Sequence, residues 1–265
     1  MRLLIDIGNT RLKWLCVDSD GMISNEVEPF AIAHQHDFPK TLKTCFGKGS
    51  PFEAHFSNVS IDQLVVSNVA GEVAAASLLE FAGKEWGVQP SFAHVQKEQL
   101  GISNSYEVLS ELGVDRWLAI IGSRQVFPNG NVIVINCGTA ITVDALNADN
   151  HFLGGAILPG FQLAAKALSK ADGIAEFNLS FIQETAQKTT GTRTVECVHL
   201  GVIAACVGGV EFSVKKIISD MNVSTVNILL SGGAAGLFLD ASKLECEYDA
   251  NVIMRGLSEI VKCES

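Results

Sequence analysis

The sequence predicts an α/β protein in which one architecture occurs twice, as two similar domains that face each other across a cleft. Short apolar runs with strand character alternate with segments of helical periodicity. A strand, a glycine-centred turn and a second strand open the chain and recur in its second half. The turn cluster "PNGN" lies between the two halves. We therefore expect two domains, over residues 1–127 and 128–265.

In the first domain, "RLLIDIG" is a predicted strand, "NTR" a turn and "LKWLCVD" a returning strand. The apolar run "QLVVSNV" is typical of a buried strand, "AAASLLEFAGKEWG" has a helical pattern, and "PSFAHV" is a further predicted strand. Residues 107–127, "EVLSELGVDRWLAIIGSRQVF", show helical periodicity that breaks near Gly113.

The second domain begins with "NVIVINCGTAITVDALN", again a strand, a turn and a strand. The spacing from Asn136 to Gly138 repeats that from Asp6 to Gly8, and no repeat of 20 to 50 residues is present. After it we expect a helix from about Phe161, a long helix after position 194, the strand "TVNILLSGG" and a closing helix "IMRGLSEIVK". This order favours a duplicated domain.

Composition restricts the possible partners and the cell compartment. The chain of 265 residues is 48% hydrophobic and 18% charged, which is typical of a globular protein. A net charge of -10 disfavours binding to nucleic acid or to an anionic membrane. No apolar run approaches the roughly 20 residues of a membrane span. Seven cysteines without a CxxC pair indicate reduced core thiols. We expect a cytoplasmic protein.

The motif "DIGNTRLK" has the residue types of a phosphate-binding hairpin. Gly8 permits a turn that brings backbone N–H groups close to an anion, and Asn9, Thr10 and Lys13 supply hydrogen bonds or positive charge. Asp6, at the end of an apolar strand, is suited to hold a hydrated magnesium ion that bridges the phosphates. The alternative is that Asp6 caps the turn and Lys13 is an ordinary surface cation.

The motif "GVDR" places a carboxylate and a guanidinium at the start of a helix. Asp115 has the chemistry of a general base, and Arg116 that of a bidentate clamp on a substrate carboxylate. On spacing alone the alternative is favoured, namely an N-cap aspartate beside a surface arginine.

With "DIGNTRLK", "GVDR", "CGTAIT" and "GGAILPG" in this order, the chain resembles the type III pantothenate kinases over nearly its full length. These enzymes belong to the superfamily of acetate and sugar kinases, heat-shock ATPases and actin. The resemblance implies two ribonuclease-H-like domains with a nucleotide cleft between them. It also implies a homodimer that phosphorylates pantothenate with ATP in the first step of coenzyme A synthesis.

The resemblance also implies site residues. It assigns the ATP phosphates and the metal to Asp6, Ile7, Gly8, Asn9, Thr10, Arg11, Leu12 and Lys13. Asp115 would take the proton of the pantothenate hydroxyl, and Thr139 would contact the nucleotide. The substrate pocket would be lined by Tyr106, Gly113, Val114, Asp115, Arg116 and, in the neighbouring subunit, Thr194. On local pattern alone, Tyr106 is equally a half-buried aromatic residue and Thr194 a helix N-cap.

One position departs from the family pattern. Where the family has aspartate, this chain has Asn136, and in the family that carboxylate helps to bind potassium or ammonium. Asparagine keeps a carbonyl oxygen but loses the charge, so we expect an altered or absent requirement for the monovalent cation. The alternative is that the amide oxygen ligates well enough.

Two other functions remain open from the sequence. One is a non-catalytic nucleotide-binding regulator of the same fold, and the other is a kinase of another small hydroxy acid. Three further features have weaker readings. His34 and His36 suggest a polar loop more than a metal site, Cys197 and His199 suggest core packing, and "SGGAAG" at residues 231–236 suggests a nucleotide-contacting turn or a tight connection.

Overall fold

The chain folds into two compact units. In the computed structural model the described residues are 1–18, 23, 29–34, 37–56, 60–169 and 188–263. One unit combines Met1–Pro128 with Asn251–Ser265, and the other is Asn129–Ala250. The predicted boundaries assign residues 251–265 to the second domain, whereas the structure groups them with the first unit.

A five-stranded mixed sheet forms the first unit. Its strands are β1 (Arg2–Ile7), β2 (Arg11–Val17), β3 (Phe30–Ala33), β4 (Gln63–Asn68) and β5 (Pro90–Phe92). They are ordered β3-β2-β1-β4-β5. β1, β2 and β3 are antiparallel neighbours, whereas β4 and β5 run parallel to β1. The predicted strand–turn–strand unit is thus confirmed.

Strand β1 is covered on both faces, as its apolar sequence predicts. Leu3, Ile5 and Ile7 pack into a cluster with side chains of the helices that follow β3 and β4. Because side chains alternate along a strand, Leu4 and Asp6 point to the opposite face. Asp6, which is the only charged residue of β1 after Arg2, therefore lies on that second face.

Among the described residues of the first unit there are also six helical segments and a small hairpin. They are α1 (Phe38–Phe46), α2 (Pro51–Phe56), α3 (Glu72–Glu85), a 3-10 turn (Leu109–Glu111), α4 (Val114–Val126) and, at the end of the chain, α8 (Val252–Cys263). The hairpin pairs β6 (Glu98–Gln99) with β7 (Ile102–Asn104). Helix α1 begins where the Asp37 carboxylate accepts the N–H of Lys40, at 3.1 Å.

Helices α4 and α8 approach each other through glycines. A Cβ atom at Gly122 would lie 1.9 Å from the carbonyl oxygen of Val252, and one at Gly256 would lie 2.1 Å from that of Leu118. Only residues without a side chain permit this backbone approach. Helix α8 also contacts β1. This packing is why the C-terminal segment belongs to the first unit.

The second unit repeats the topology of the first. Its strands are β8 (Val132–Cys137), β9 (Ala140–Leu146), β10 (His151–Pro159), β11 (Asn227–Ser231) and β12 (Glu247–Tyr248). In this unit they are ordered β12-β11-β8-β9-β10. β8, β9 and β10 are antiparallel neighbours, and β11 and β12 run parallel to β8. The predicted duplication is confirmed strand by strand.

In the described part of the second unit the helices are α5 (Phe161–Ser169), α6 (Thr194–Met221) and α7 (Ala235–Ala241). Helix α6 corrects the expectation that no segment is long and apolar enough to cross a membrane. It has 28 residues, and a window within it has a mean hydropathy of 1.8. A core helix of a globular protein has the same composition, and Val202, Val210 and Val214 pack into the core of this unit.

Candidate active site

The first hairpin turns tightly between β1 and β2. The N–H of Gly8 donates to the carbonyl of Arg11 at 3.0 Å, and the side chains of Asn9 and Thr10 are exposed at the tip. At its base Ile7 pairs with Leu12 and Asp6 pairs with Lys13. The hairpin thus presents an open backbone loop with a carboxylate and an ammonium group on the same face of the sheet.

The carboxylate of Asp6 is buried and incompletely paired. Asp6 is 5% exposed, and burial raises its pKa from 3.8 to about 6, against the lowering effect of Lys13. Among the residues that the structure describes, its Oδ1 atom has no hydrogen-bond partner. The reading in which Asp6 caps the turn therefore lacks support at this oxygen.

Ser67 lies beside Asp6 in the sheet and is not among the site residues predicted from the sequence. It is the parallel partner of Asp6 on β4 and is fully buried. Its hydroxyl makes no well-formed hydrogen bond in the described part of the chain, although it lies close enough to the Asp6 carboxylate to lower the pKa of Asp6. Two adjacent buried polar atoms without well-formed hydrogen bonds are costly unless a ligand or water binds there. A serine inside "LVVSNV" gives no signal until the strand register is known.

These residues fit a magnesium ion. One carboxylate with a spare oxygen is the usual protein contribution to Mg²⁺, which keeps several waters and takes its other ligands from substrate phosphates. The described residues contain no group of three or more His, Cys, Asp or Glu side chains that would form an all-protein metal cage. The donor set at Asp6 therefore suits a nucleotide-bound metal.

The "GVDR" turn begins helix α4. Gly113 is the N-cap and makes no side-chain cap, so the N-cap reading of Asp115 is wrong. The Oδ1 atom of Asp115 accepts the N–H of Arg116 at 2.8 Å. A Cβ atom on Gly113 would lie 2.6 Å from that same oxygen. Glycine at 113 therefore leaves the space that the Asp115 carboxylate occupies.

Arg116 is a buried residue, which overturns the surface-arginine reading. Its side chain is 6% exposed, and its Nη1 atom donates to the hydroxyl of Tyr106 at 2.7 Å. The guanidinium carbon also lies 5.7 Å from the centre of the Tyr106 ring. Tyr106 and Arg116 are thus in direct contact, which agrees with the prediction that both line one substrate pocket.

Two of the predicted clusters meet within the first unit. Burial raises the pKa of Asp115, and the charge of Asp115 is close enough to raise the pKa of Asp6 as well. Two carboxylates that interact while both are shielded from water are typical of an active site. Val69 connects the two motifs, because its N–H donates to the carbonyl of Ile7 at 3.0 Å and a Cβ atom on Gly113 would lie 3.9 Å from its Cγ1 atom. The structure therefore brings the hairpin and the "GVDR" turn together.

The second hairpin is built in a similar way, with a turn that is one residue shorter. The N–H of Gly138 donates to the carbonyl of Ala140 at 3.0 Å, and Thr139 is exposed at the tip. Asn136 occupies the register position of Asp6, and its parallel partner is Ser231, the counterpart of Ser67.

The "SGGAAG" turn packs against this hairpin. Gly232 has a φ of 99°, and a Cβ atom there would lie 2.7 Å from the Oδ1 of Asn136. The N–H of Ala234 donates to the carbonyl of Cys137 at 3.0 Å. The turn is therefore a close partner of Asn136.

Other sequence expectations need correction or are left open. The N-cap of α6 is Arg193, so Thr194 is not the cap but an exposed first helical residue. His199 is buried as expected, whereas Cys197 is exposed, and His36 lies outside the described residues.

The side chain of His34 does not stand alone in a polar loop, because its Nε2 atom lies 2.8 Å from the carbonyl oxygen of Gly8.

Comparisons with known proteins agree with these features. The family model of type III pantothenate kinase matches residues 2–216. The type III pantothenate kinase of Janthinobacterium sp. (strain Marseille) is 32% identical, over 98% of this chain and 97% of that protein.

Two solved structures share the fold. A Campylobacter jejuni structure described as a Baf family transcriptional activator has a TM-score of 0.58 at 21% identity, covering 99% of this chain and 98% of that one. The ROK family glucokinase of Streptomyces griseus, in complex with glucose and AMPPNP, has a TM-score of 0.51 at 11% identity, with 98% of each chain covered. The fold is that of the sugar kinases and actin-like ATPases. On the family match and the full-length identity, this chain belongs to the type III pantothenate kinases.

Proposed function

We propose that this protein transfers the γ-phosphoryl group of ATP to pantothenate, the first step of coenzyme A synthesis. The observation that carries the proposal is the meeting of the Asp6 hairpin with the "GVDR" turn in one unit, where Asp115 raises the pKa of Asp6. Membership of the family supplies the substrate class. Phosphoryl transfer needs mainly positioning and charge neutralisation, and both motifs provide these.

On the nucleotide side, the first hairpin would hold the phosphates. Backbone N–H groups near Gly8, the hydroxyl of Thr10 and the ammonium of Lys13 would donate to phosphate oxygens, and Asp6 would hold the magnesium ion through its spare oxygen. The bound cation supplies neutralisation of the developing phosphate charge. Ile7, Arg11 and Leu12 frame this loop.

On the acceptor side, Asp115 would take the proton of the pantothenate hydroxyl as the oxygen attacks. Burial raises the pKa of Asp115, so its carboxylate is a stronger base than an exposed aspartate. Arg116, fixed by the hydroxyl of Tyr106, is suited to the carboxylate of pantothenate. Gly113 and Val114 carry these side chains into position.

Thr139, at the tip of the second hairpin, would contact the nucleotide. At Asn136 an amide replaces the carboxylate of the family, so we propose a weakened or absent requirement for potassium or ammonium. A potassium titration with ordinary strong dependence of turnover would contradict this proposal.

A homodimer is part of the proposal, with Thr194 reaching the pocket of the neighbouring subunit. It is supported by an exposed apolar side of helix α6, where Phe212 is 69% exposed. Small residues share that side, namely Gly201, Ala204, Ala205 and Gly208. Light scattering after size exclusion tests the stoichiometry. The cytoplasm, where ATP is available, is the proposed location.

The deciding experiment measures ATP-dependent formation of phosphopantothenate by purified protein with magnesium. Parallel reactions contain potassium, ammonium or neither. Turnover establishes the kinase, and its cation dependence reports on Asn136. If folded protein binds ATP and yields no product in any reaction, a nucleotide-binding regulator or another hydroxy acid substrate replaces the proposal.

A further inference from the structure

His34 contacts the first hairpin twice. It follows the last residue of β3 and is 2% exposed. Its backbone N–H donates to the carbonyl of Thr10 at 3.2 Å, and its ring Nε2 lies 2.8 Å from the carbonyl oxygen of Gly8. One residue thus holds two carbonyl groups of the phosphate-binding loop.

The ring contact fixes a proton. A backbone carbonyl only accepts hydrogen bonds, so Nε2 must carry the hydrogen. Both the Nε2–H tautomer and the doubly protonated ring satisfy this condition, whereas the Nδ1–H tautomer does not. The contact therefore excludes the Nδ1–H tautomer.

The start of helix α1 packs against His34. The carbonyl of His34 accepts the N–H of Asp37 at 2.8 Å, and the hydroxyl of Thr41 lies 3.4 Å from that same carbonyl oxygen. The ring centre of His34 lies 4.6 Å from that of Phe38, a buried residue in the first turn of α1. The ring is therefore held in place by a packed helix.

The second unit has a counterpart at the equivalent position. Gly160 follows β10 as His34 follows β3, and its N–H donates to the carbonyl of Thr139 at 3.1 Å. A Cβ atom on Gly160 would lie 2.4 Å from the carbonyl oxygen of Thr139 and 2.5 Å from that of Gly138. Both hairpins are thus braced from the neighbouring strand, the second by close backbone packing and the first by an imidazole.

The brace sets the direction of a phosphate donor. In a trans peptide the C=O of one residue and the N–H of the next point in opposite directions. Because the Gly8 carbonyl points at the His34 ring, the N–H of Asn9 points away from it. That orientation suits donation to an anion outside the hairpin.

We propose that His34 is a positioning residue that holds the first hairpin in the shape that receives the ATP phosphates. This inference rests on the proposed function, which assigns that hairpin to ATP. Loss of the Nε2 donor leaves the partly buried Gly8 carbonyl without its side-chain partner and frees the loop to rotate.

Two amide variants test the proposal as a matched pair. In His34→Gln the amide nitrogen reaches the position of Nε2, whereas in His34→Asn the same group is one methylene shorter. We expect His34→Asn to raise the Kd for Mg–AMPPNP and the KM for ATP about tenfold, and His34→Gln to recover most of that loss. The KM for pantothenate stays at the wild-type value in both variants. Calorimetry gives the Kd without turnover.

Several outcomes would overturn the proposal. They are wild-type nucleotide affinity in His34→Asn, equal losses in both variants, or an equal rise in the KM for pantothenate. Should the variants not fold, long-range ¹H–¹⁵N spectra of histidine-labelled wild-type protein decide, because a neutral Nδ1–H tautomer at His34 contradicts the contact. If wild-type protein binds Mg–AMPPNP but does not phosphorylate pantothenate, the proposed reaction fails while the role of His34 is still tested by affinity.

Discussion

Replacing Asp6 with asparagine removes a buried charge that the folded protein holds at a cost. Burial raises the pKa of Asp6 from 3.8 to about 6. The difference is about two pH units, and each unit corresponds to about 1.4 kcal/mol. Ionised Asp6 therefore lowers the free energy of unfolding by up to about 3 kcal/mol in the absence of nucleotide and metal.

The sign of the pH dependence follows from proton binding. Between about pH 4 and about pH 6 the folded protein binds this proton more tightly than the unfolded chain, so the contribution of Asp6 to stability falls as pH rises. The Asp6→Asn variant lacks this term. Near pH 4 the free energies of unfolding of the two proteins should differ only by an amount that does not depend on pH. By about pH 8 this difference should have shifted by up to about 3 kcal/mol in favour of Asp6→Asn.

Urea unfolding followed by tryptophan fluorescence measures this difference in the relevant unit. All three tryptophans, Trp14, Trp86 and Trp117, lie in the first unit. Magnesium and ATP should stabilise the wild type at about pH 8 much more than Asp6→Asn, because the cation needs the carboxylate. A difference between the two proteins that is the same near pH 4 and near pH 8 would refute the reasoning.

Three further predictions concern the "GVDR" turn and the packing of α4. Asp115→Asn should lower kcat by about 10²- to 10⁴-fold, the range of a general base, while the Kd for pantothenate changes little. Arg116→Lys, which cannot keep the bidentate geometry, and Tyr106→Phe should each raise the KM for pantothenate by about tenfold with the KM for ATP unchanged. Gly256→Ala should lower the free energy of unfolding by about 1–3 kcal/mol, because the added methyl would lie 2.1 Å from the carbonyl oxygen of Leu118.

Each of these predictions has a control or a contradicting result. Near-normal kcat in Asp115→Asn, or an equal loss of ATP affinity in Tyr106→Phe, would contradict the assigned roles. Gly83→Ala is the matched control for Gly256→Ala, because Gly83 lies exposed on α3 of the same unit and has only the Gln89 amide within 4 Å of the new methyl, at 3.8 Å. It should raise stability by up to about 1 kcal/mol through helix propensity. A similar loss in both variants would exclude the packing explanation.

Local chemistry made much of the fold predictable. Short apolar runs on either side of Gly8 and Gly138 define both hairpins without any distant information, and the break at Gly113 marks the start of α4. The duplicated topology followed from recognising the second hairpin. The sequence also predicts helix α6. It does not reveal how apolar that helix is over its 28 residues, because small and polar residues interrupt the apolar run.

The undetected features depend on contacts between distant parts of the chain. Ser67 becomes notable only when β4 is set in register beside Asp6, and His34 only when β3 brings it to the hairpin tip. The glycines at 122 and 256 are ordinary helix residues until two helices cross at them. The burial of Arg116 depends on its distant partner Tyr106, which spacing alone cannot supply.

The packing of α8 has a consequence for how the protein is made. The second unit is one continuous segment, 129–250, whereas the first needs α8, which follows that segment in the sequence, to cover α4 and β1. During synthesis the second unit can therefore fold on the ribosome while the first still lacks α8. The unit that carries Asp6 and Asp115 is completed only once residues 252–263 have left the ribosome, so a nascent chain that stops before Val252 lacks the helix that covers α4 and β1.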